Sequence, residues 1–195
     1  MVQALRDAGR WVEAIDLAVD AARQLEPLRG DVADRHGLYG ALLAEVAYVH
    51  ARRGRQGDAW AYWERADEIA RGLGPGYRHV QTSFSQSVMG AHATTLAVEL
   101  RQSGQAIRSA DEFDPDDIAS IPRRARHLIE VARAHHQRGE RTAALALLDK
   151  SERTATETIR FNGFAREMLR DLLAAPPSGM RGDVRALCAR VGIAR

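Results

Sequence analysis

Apolar residues recur at steps of three and four along most of the chain and never in sustained alternation. From Gly9 the stripe runs through Trp11, Ala14, Ile15, Ala18, Ala21 and Leu25 to Pro27. That spacing belongs to one buried helical face, and the glycine and proline punctuate its two ends. The pattern returns from Gly54 (Ala59, Trp60, Trp63, Ala66, Ala70) and from Gly139 (Ala144, Leu145, Leu148, Ser151, Ala155). A shortened copy follows Gly104 (Ala106, Ile107, Ala110) and stops at Asp114-Pro115. Amphipathic stretches over 38–52, 84–103 and 123–138 precede the copies at Gly54, Gly104 and Gly139. Helix, glycine turn and helix therefore repeat three times after an initial half-helix.

A short helical hairpin cannot bury its apolar face alone, so stacked neighbours must complete the core. Alanines at the expected crossings (Ala14, Ala47, Ala59, Ala97, Ala132, Ala144) allow close approach. Breaker clusters at 27–31, 72–76 and 114–117 stand at the hairpin joints. Beyond Phe161 the repeat decays into a helix over 164–174, a break at Pro176-Pro177 and a last helix over 183–191. The expected fold is all-α: antiparallel helical hairpins stacked as a right-handed solenoid. About three and a half hairpins fill residues 1–160, and a capping helix pair at 161–195 belongs to the same domain.

The run Gly9, Trp11, Glu13, Ala14, Ala21, Pro27 resembles the second helix of a tetratricopeptide repeat. The later copies depart from that pattern, with Gln56 and Arg141 where Trp11 stands. The glycine spacing near the start of the chain also exceeds the usual ~34 residues. A narrower resemblance rests on the segments 84–92 (FSQSVMGAH), 96–100 (LAVEL), 124–133 (ARHLIEVA within it) and 165–173 (AREMLRDLL). These are similar to the C-terminal sensor region of actinobacterial Xre-type helix-turn-helix transcriptional regulators, although Val88 stands where that family usually has asparagine. The resemblance implies a ligand- or peptide-sensing and dimerisation part whose DNA-binding domain is not in this chain. The alternative is a constitutive protein–protein interaction scaffold with no regulatory ligand.

Composition changes this picture little. The 28 basic and 26 acidic residues leave a net charge of +2, too small to argue for nucleic-acid contact. Lys150 is the sole lysine, so positive charge is carried almost entirely by arginine. A single cysteine, Cys188, excludes a disulfide framework within the chain and any multi-cysteine metal site. It suits a reducing cytoplasm. No apolar run approaches the ~20 residues of a membrane span, and no signal-peptide core follows Met1.

The resemblance also implies a concave groove lined by the first helix of each hairpin. With the turn glycines as register marks, the groove positions are Arg6 (with Gln3) on the first helix. Tyr48 and Arg52, with Ala41 and Ala44, follow on the second, and Thr94, Val98, Arg101 and Gln102 on the third. Arg126, Ile129, Arg133, His136 and Gln137 complete the set on the fourth. Arginine forks and amides dominate and carboxylates are missing, which points to an acidic peptide, a C-terminal carboxylate or a small anionic ligand. The competing expectation is that these arginines are solvated and paired with nearby Asp and Glu. The seven histidines include no pair at metal-sharing spacing, and no nucleophile elbow or phosphate loop occurs. No enzyme, cofactor or metal is expected. A homodimer through 161–195 is expected if the end of the solenoid leaves apolar surface uncovered.

Overall fold

Each amphipathic stretch folds as a helix. The computed structural model describes residues 1–26, 30 and 32–193, and the breaker residues 27–29 and 31 lie outside them. Among the described residues the regular structure is helical throughout. Its elements are α1 (Val2–Asp7), α2 (Trp11–Leu25), α3 (Ala33–Arg52), α4 (Gln56–Leu73), α5 (Gln86–Glu99) and α6 (Ser103–Asp111). They continue with α7 (Ile121–Gln137), α8 (Arg141–Thr154), α9 (Thr156–Arg160), α10 (Gly163–Ala174) and α11 (Arg181–Val191). None of these helices is long and apolar enough to cross a membrane.

The chain divides into two units, Met1–Leu100 and Arg101–Arg195. In the first, α1 packs on α2, α2 on α3, and α3 against α4 along their lengths, with α5 touching both α3 and α4. Tyr39, Leu43, Phe84 and Met89 meet Ala22, Ala66 and Ala70 in one core cluster, and Ala47, Ala51, Ala59 and Leu96 form another. In the second, α6 packs on α7 and α7 pairs with α8. Ile129, Leu145, Leu148, Ile159, Leu169, Leu172 and Leu187 share the core there. All six alanines expected at helix crossings are fully buried.

Every hairpin reverses through one residue in the left-handed region: Gly9 (φ 72), Gly54 (φ 70), Gly139 (φ 77) and Arg101 (φ 61). The next residue then caps the following helix with nearly constant geometry. Its φ/ψ is −85/63 at Arg10, −85/74 at Arg55, −94/56 at Gln102 and −82/66 at Glu140. Around the three glycines the cap amide reaches back five residues. Arg10 N–H donates to Leu5 O (2.8 Å), Arg55 N–H to His50 O (2.9 Å) and Glu140 N–H to His135 O (2.9 Å), the six-to-one bond of a Schellman turn. The third turn corrects the sequence reading. Gly104 lies inside α6, and Arg101 occupies the place that glycine holds in the other three.

The loop after α4 folds back over α3. Tyr77 donates to Ala33 O at 3.2 Å and Asp34 Oδ1 at 3.1 Å, and Phe84 is 2% exposed. Ser85 caps α5 by accepting from Val88 N–H at 3.3 Å, as a serine at that place should. Both aromatic rings press on glycines of α3: a Cβ at Gly37 would fall 2.2 Å from Tyr77 Oη, and one at Gly40 2.3 Å from Phe84 Cζ.

The chain's last helices close a core instead of leaving one open. Met168, Leu169, Leu172, Val184, Leu187, Val191 and Ile193 turn inward within the second unit. Among the described residues after 160, Phe161 is the large apolar side chain left outside, at 78% exposure. The apolar residues of α10 and α11 that the sequence left as a possible uncovered end are thus largely drawn into the unit's own core. The short helix α9 was not expected. Ala155 leaves helical geometry (φ −157, ψ 93) with no glycine or proline to signal it, and the break delivers Ile159 to the core.

Two consequences can be measured. Gly40→Ala should cost about 2 kcal/mol, because the Phe84 ring, 2% exposed within the core, must shift to admit the methyl, read as a lower midpoint in chemical denaturation. The second concerns His127 on α7, 3% exposed and 5.0 Å from the Phe113 ring. Burial lowers its pKa to about 4. The unfolded chain therefore binds the proton first, so this contribution to stability is complete above about pH 6.5 and is lost as pH falls toward 4. The loss should reach about 3 kcal/mol. Stability measured from pH 7 to 4 should fall less steeply in His127→Leu, and identical slopes would show that His127 is not the responsible group.

Candidate functional site

Taken unit by unit, the expected groove residues fall into two groups. In the first unit, Arg6 donates from Nη1 to Glu45 Oε2 at 2.8 Å, and its guanidinium lies 4.6 Å from the centre of the Tyr48 ring. Tyr48 in turn meets His92 edge-on at 6.5 Å. Arg52 donates to Glu99 Oε2 at 3.1 Å and sits 5.3 Å from the Trp11 ring. Arg6, Tyr48 and Arg52 thus share one side of the helices, but both guanidinium groups already have carboxylates of their own unit. The Gln3 side chain lies outside the described ones.

Thr94 and Val98 are corrections, since both are fully buried. The cause is the misplaced turn. Counting back from Gly104 instead of Arg101 displaces the register on α5 by three residues, about 4.5 Å along the axis and about 60° around it. Counted from Arg101, the counterparts of Tyr48 and Arg52 are Thr95 and Glu99, both half-buried. Glu99 is the residue that pairs with Arg52, as neighbouring helices in common register would arrange.

In the second unit, four expected residues meet. Arg101, Arg133, His136 and Gln137 line a cleft of about 200 Å³ with Phe164, Glu167, Met168 and Asp171. Each wall is one helix face: 133, 136 and 137 on α7, and 164, 167, 168 and 171 on α10. The helices are held together beneath it by Ile129, Ala132, Ala165 and Met168. Ile129 belongs to that core, fully buried, and this corrects its assignment to the groove. Arg126 is exposed and does not line the cleft. Gln102 caps the turn without lining it either, and its Oε1 is buried with no hydrogen-bond partner among the described residues.

The α10 wall escaped the sequence reading, which treated that segment only as a cap. A signal existed. Phe164, Glu167, Met168 and Asp171 follow the i, i+3, i+4, i+7 spacing of one face while mixing charge with apolar bulk. Its two carboxylates correct the expectation of a lining made only of donors.

Charge is distributed unequally over the cleft. Arg133 donates from Nη1 to Glu130 Oε2 at 2.6 Å, with the two side chains 11% and 3% exposed, and its guanidinium lies 3.6 Å from the centre of the Phe164 ring. This cation is spent on a buried carboxylate and an aromatic face. His136 Nε2 stands 3.5 Å from Asp171 Oδ2, an ion pair only when the imidazole is protonated. Ser103 Oγ donates to Gln137 Oε1 at 2.6 Å and fixes the carboxamide. Arg101 and Glu167 are exposed and make no ion pair among the described residues. Arg133→Ala should therefore destabilise the fold by about 3 kcal/mol, because the buried Glu130 carboxylate loses the guanidinium that donates to it in a site closed to water. The double variant Glu130→Ala, Arg133→Ala should recover part of that loss in the same denaturation experiment. A neutral Arg133→Ala would sink this account of the pair.

Compared with known protein families, with characterised proteins and with solved structures, the chain gives no significant match to any of them.

Proposed function

We propose that this chain is a non-catalytic recognition module built from hairpins of tetratricopeptide type, and that its second unit binds a peptide segment or small ligand in the cleft between α7 and α10. One observation carries the reading. The polar ends of two packed helices and a turn residue converge on a concavity that their own unit does not fill. The four hairpin turns of common backbone geometry support the repeat reading. Helices at the ends of such hairpins are fixed by core packing, so side chains on their free face are held in place before a ligand arrives.

The sequence segments at 84–92, 124–133 and 165–173 support a narrower reading, the sensing part of a transcriptional regulator. The α7 and α10 faces of the cleft fall within or beside two of those segments. In that reading ligand binding biases the packing of α10 on α7, and the change reaches a DNA-binding domain supplied elsewhere. Sensing requires a differential affinity for two packings, and the α7–α10 contact is the element that can supply it.

A screen of short peptides and small polar molecules by ligand-detected NMR, using the full chain, tests the proposal. Bound molecules should shift amide resonances at 133–137 and 164–171, and His136→Ala should weaken binding at least fivefold. A chain that binds none of them but recovers one stable protein partner, with the cleft variant unaffected, would be a constitutive scaffold instead. Binding that maps wholly to the first unit would also overturn the assignment.

A further inference from the structure

The four hairpin turns pose one anomaly. Three carry glycine at the left-handed position, where the missing Cβ removes the steric cost, and the fourth carries Arg101 at φ 61. An L-residue held there is strained, and strain of this kind persists where the side chain has a use that outweighs it. Arg101 is also the turn residue that opens onto the cleft, and it makes no ion pair among the described residues. Across the cleft, Glu167 and Asp171 stand four residues apart on one face of α10.

From this juxtaposition we infer that the cleft takes a small zwitterion of amino-acid or dipeptide size, with its carboxylate on Arg101 and its ammonium or guanidinium group between Glu167 and Asp171. The inference rests on the recognition reading above and names its ligand class. Arg133 is neutralised by Glu130, which leaves Arg101 as the open cation among the described lining residues, facing the Glu167 and Asp171 carboxylates of α10. A phosphate or a polyanionic peptide would meet that wall unfavourably. A ligand carrying both charges matches each side. A planar guanidinium fork suits a carboxylate in particular. The volume of about 200 Å³ lies below the ~300 Å³ at which drug-sized sites begin and suits a small ligand. His136, within reach of Asp171, and the fixed Gln137 carboxamide add hydrogen-bonding groups between the two poles.

The experiment is a titration of the full chain, followed by amide NMR, with free L-amino acids and unblocked dipeptides. Acetate, inorganic phosphate, and the N-acetylated and C-amidated forms of each binder run alongside. At least one unblocked compound should shift residues 133–137 and 164–171 with millimolar affinity or better, and blocking either end should weaken it at least tenfold. Arg101→Gly should abolish binding while melting at or above the wild-type temperature, which separates loss of the anchor from loss of the fold. Glu167→Gln with Asp171→Asn should remove the penalty of N-acetylation. Acetate or phosphate binding as tightly as the zwitterions would overturn the inference and leave a plain anion site, with the recognition reading intact. Unchanged affinity in Arg101→Gly, or no shift with any zwitterion, would overturn it as well. In the last case binding of longer peptides in the earlier screen still decides the recognition reading independently.

Discussion

The left-handed residue at the turns after α1, α3, α5 and α7 is the constraint on which much of the described structure depends. A helix that ends in a Schellman turn has its last carbonyls satisfied by the amides just beyond, and the chain leaves at one angle. Here the six-to-one bond closes the turns at Gly9, Gly54 and Gly139, and the residue after each, near φ −85 and ψ 65, caps the next helix. Once the reversal is set, so is the rotation of both flanking helices. The alanines at 14, 47, 59, 97, 132 and 144 all end fully buried. Shift the turn by three residues, as a reading from Gly104 does, and the predicted inner face of α5 becomes its core.

The same constraint shows why two arginines of the second unit behave differently. Arg133 sits on the body of α7, where the neighbouring turn places Glu130 and the facing helix supplies Phe164. Its charge is enclosed and serves the join between α7 and α10. Arg101 sits on the turn itself, beyond the helix, with its side chain facing the concavity. One guanidinium holds the walls and the other remains available, although both appear in the sequence as basic residues at the ends of amphipathic helices.

Close backbone approach is the second organising feature. Gly37 and Gly40 let Tyr77 and Phe84 lie directly on α3, so a loop without regular structure covers the first unit's core. Glycine within a helix lowers its intrinsic stability. The rings that use the vacated space offset that cost by burying aromatic surface.

Much of the fold was legible along the chain. Hydrophobic period identified the long helices to within a few residues, glycines at 9, 54 and 139 identified three of four turns, and the two prolines at 176 and 177 separated the last pair of helices. These are local signals, because periodicity and backbone sterics act over a single turn of chain. The break at Ala155, the third turn at Arg101 and the burial of Thr94, Val98 and Ile129 had no local signal, or a misleading one. They depend on which helix lies across which. The cleft is the clearest case: Arg101, Arg133, His136 and Gln137 could be named from helical spacing, but Glu167 and Asp171 join them only because α10 packs on α7. Sequence by itself determined the helices and most of their reversals. Tertiary packing decided which charges are enclosed and which are left open, since pairing and burial arise only when residues distant in the chain share a low-dielectric space.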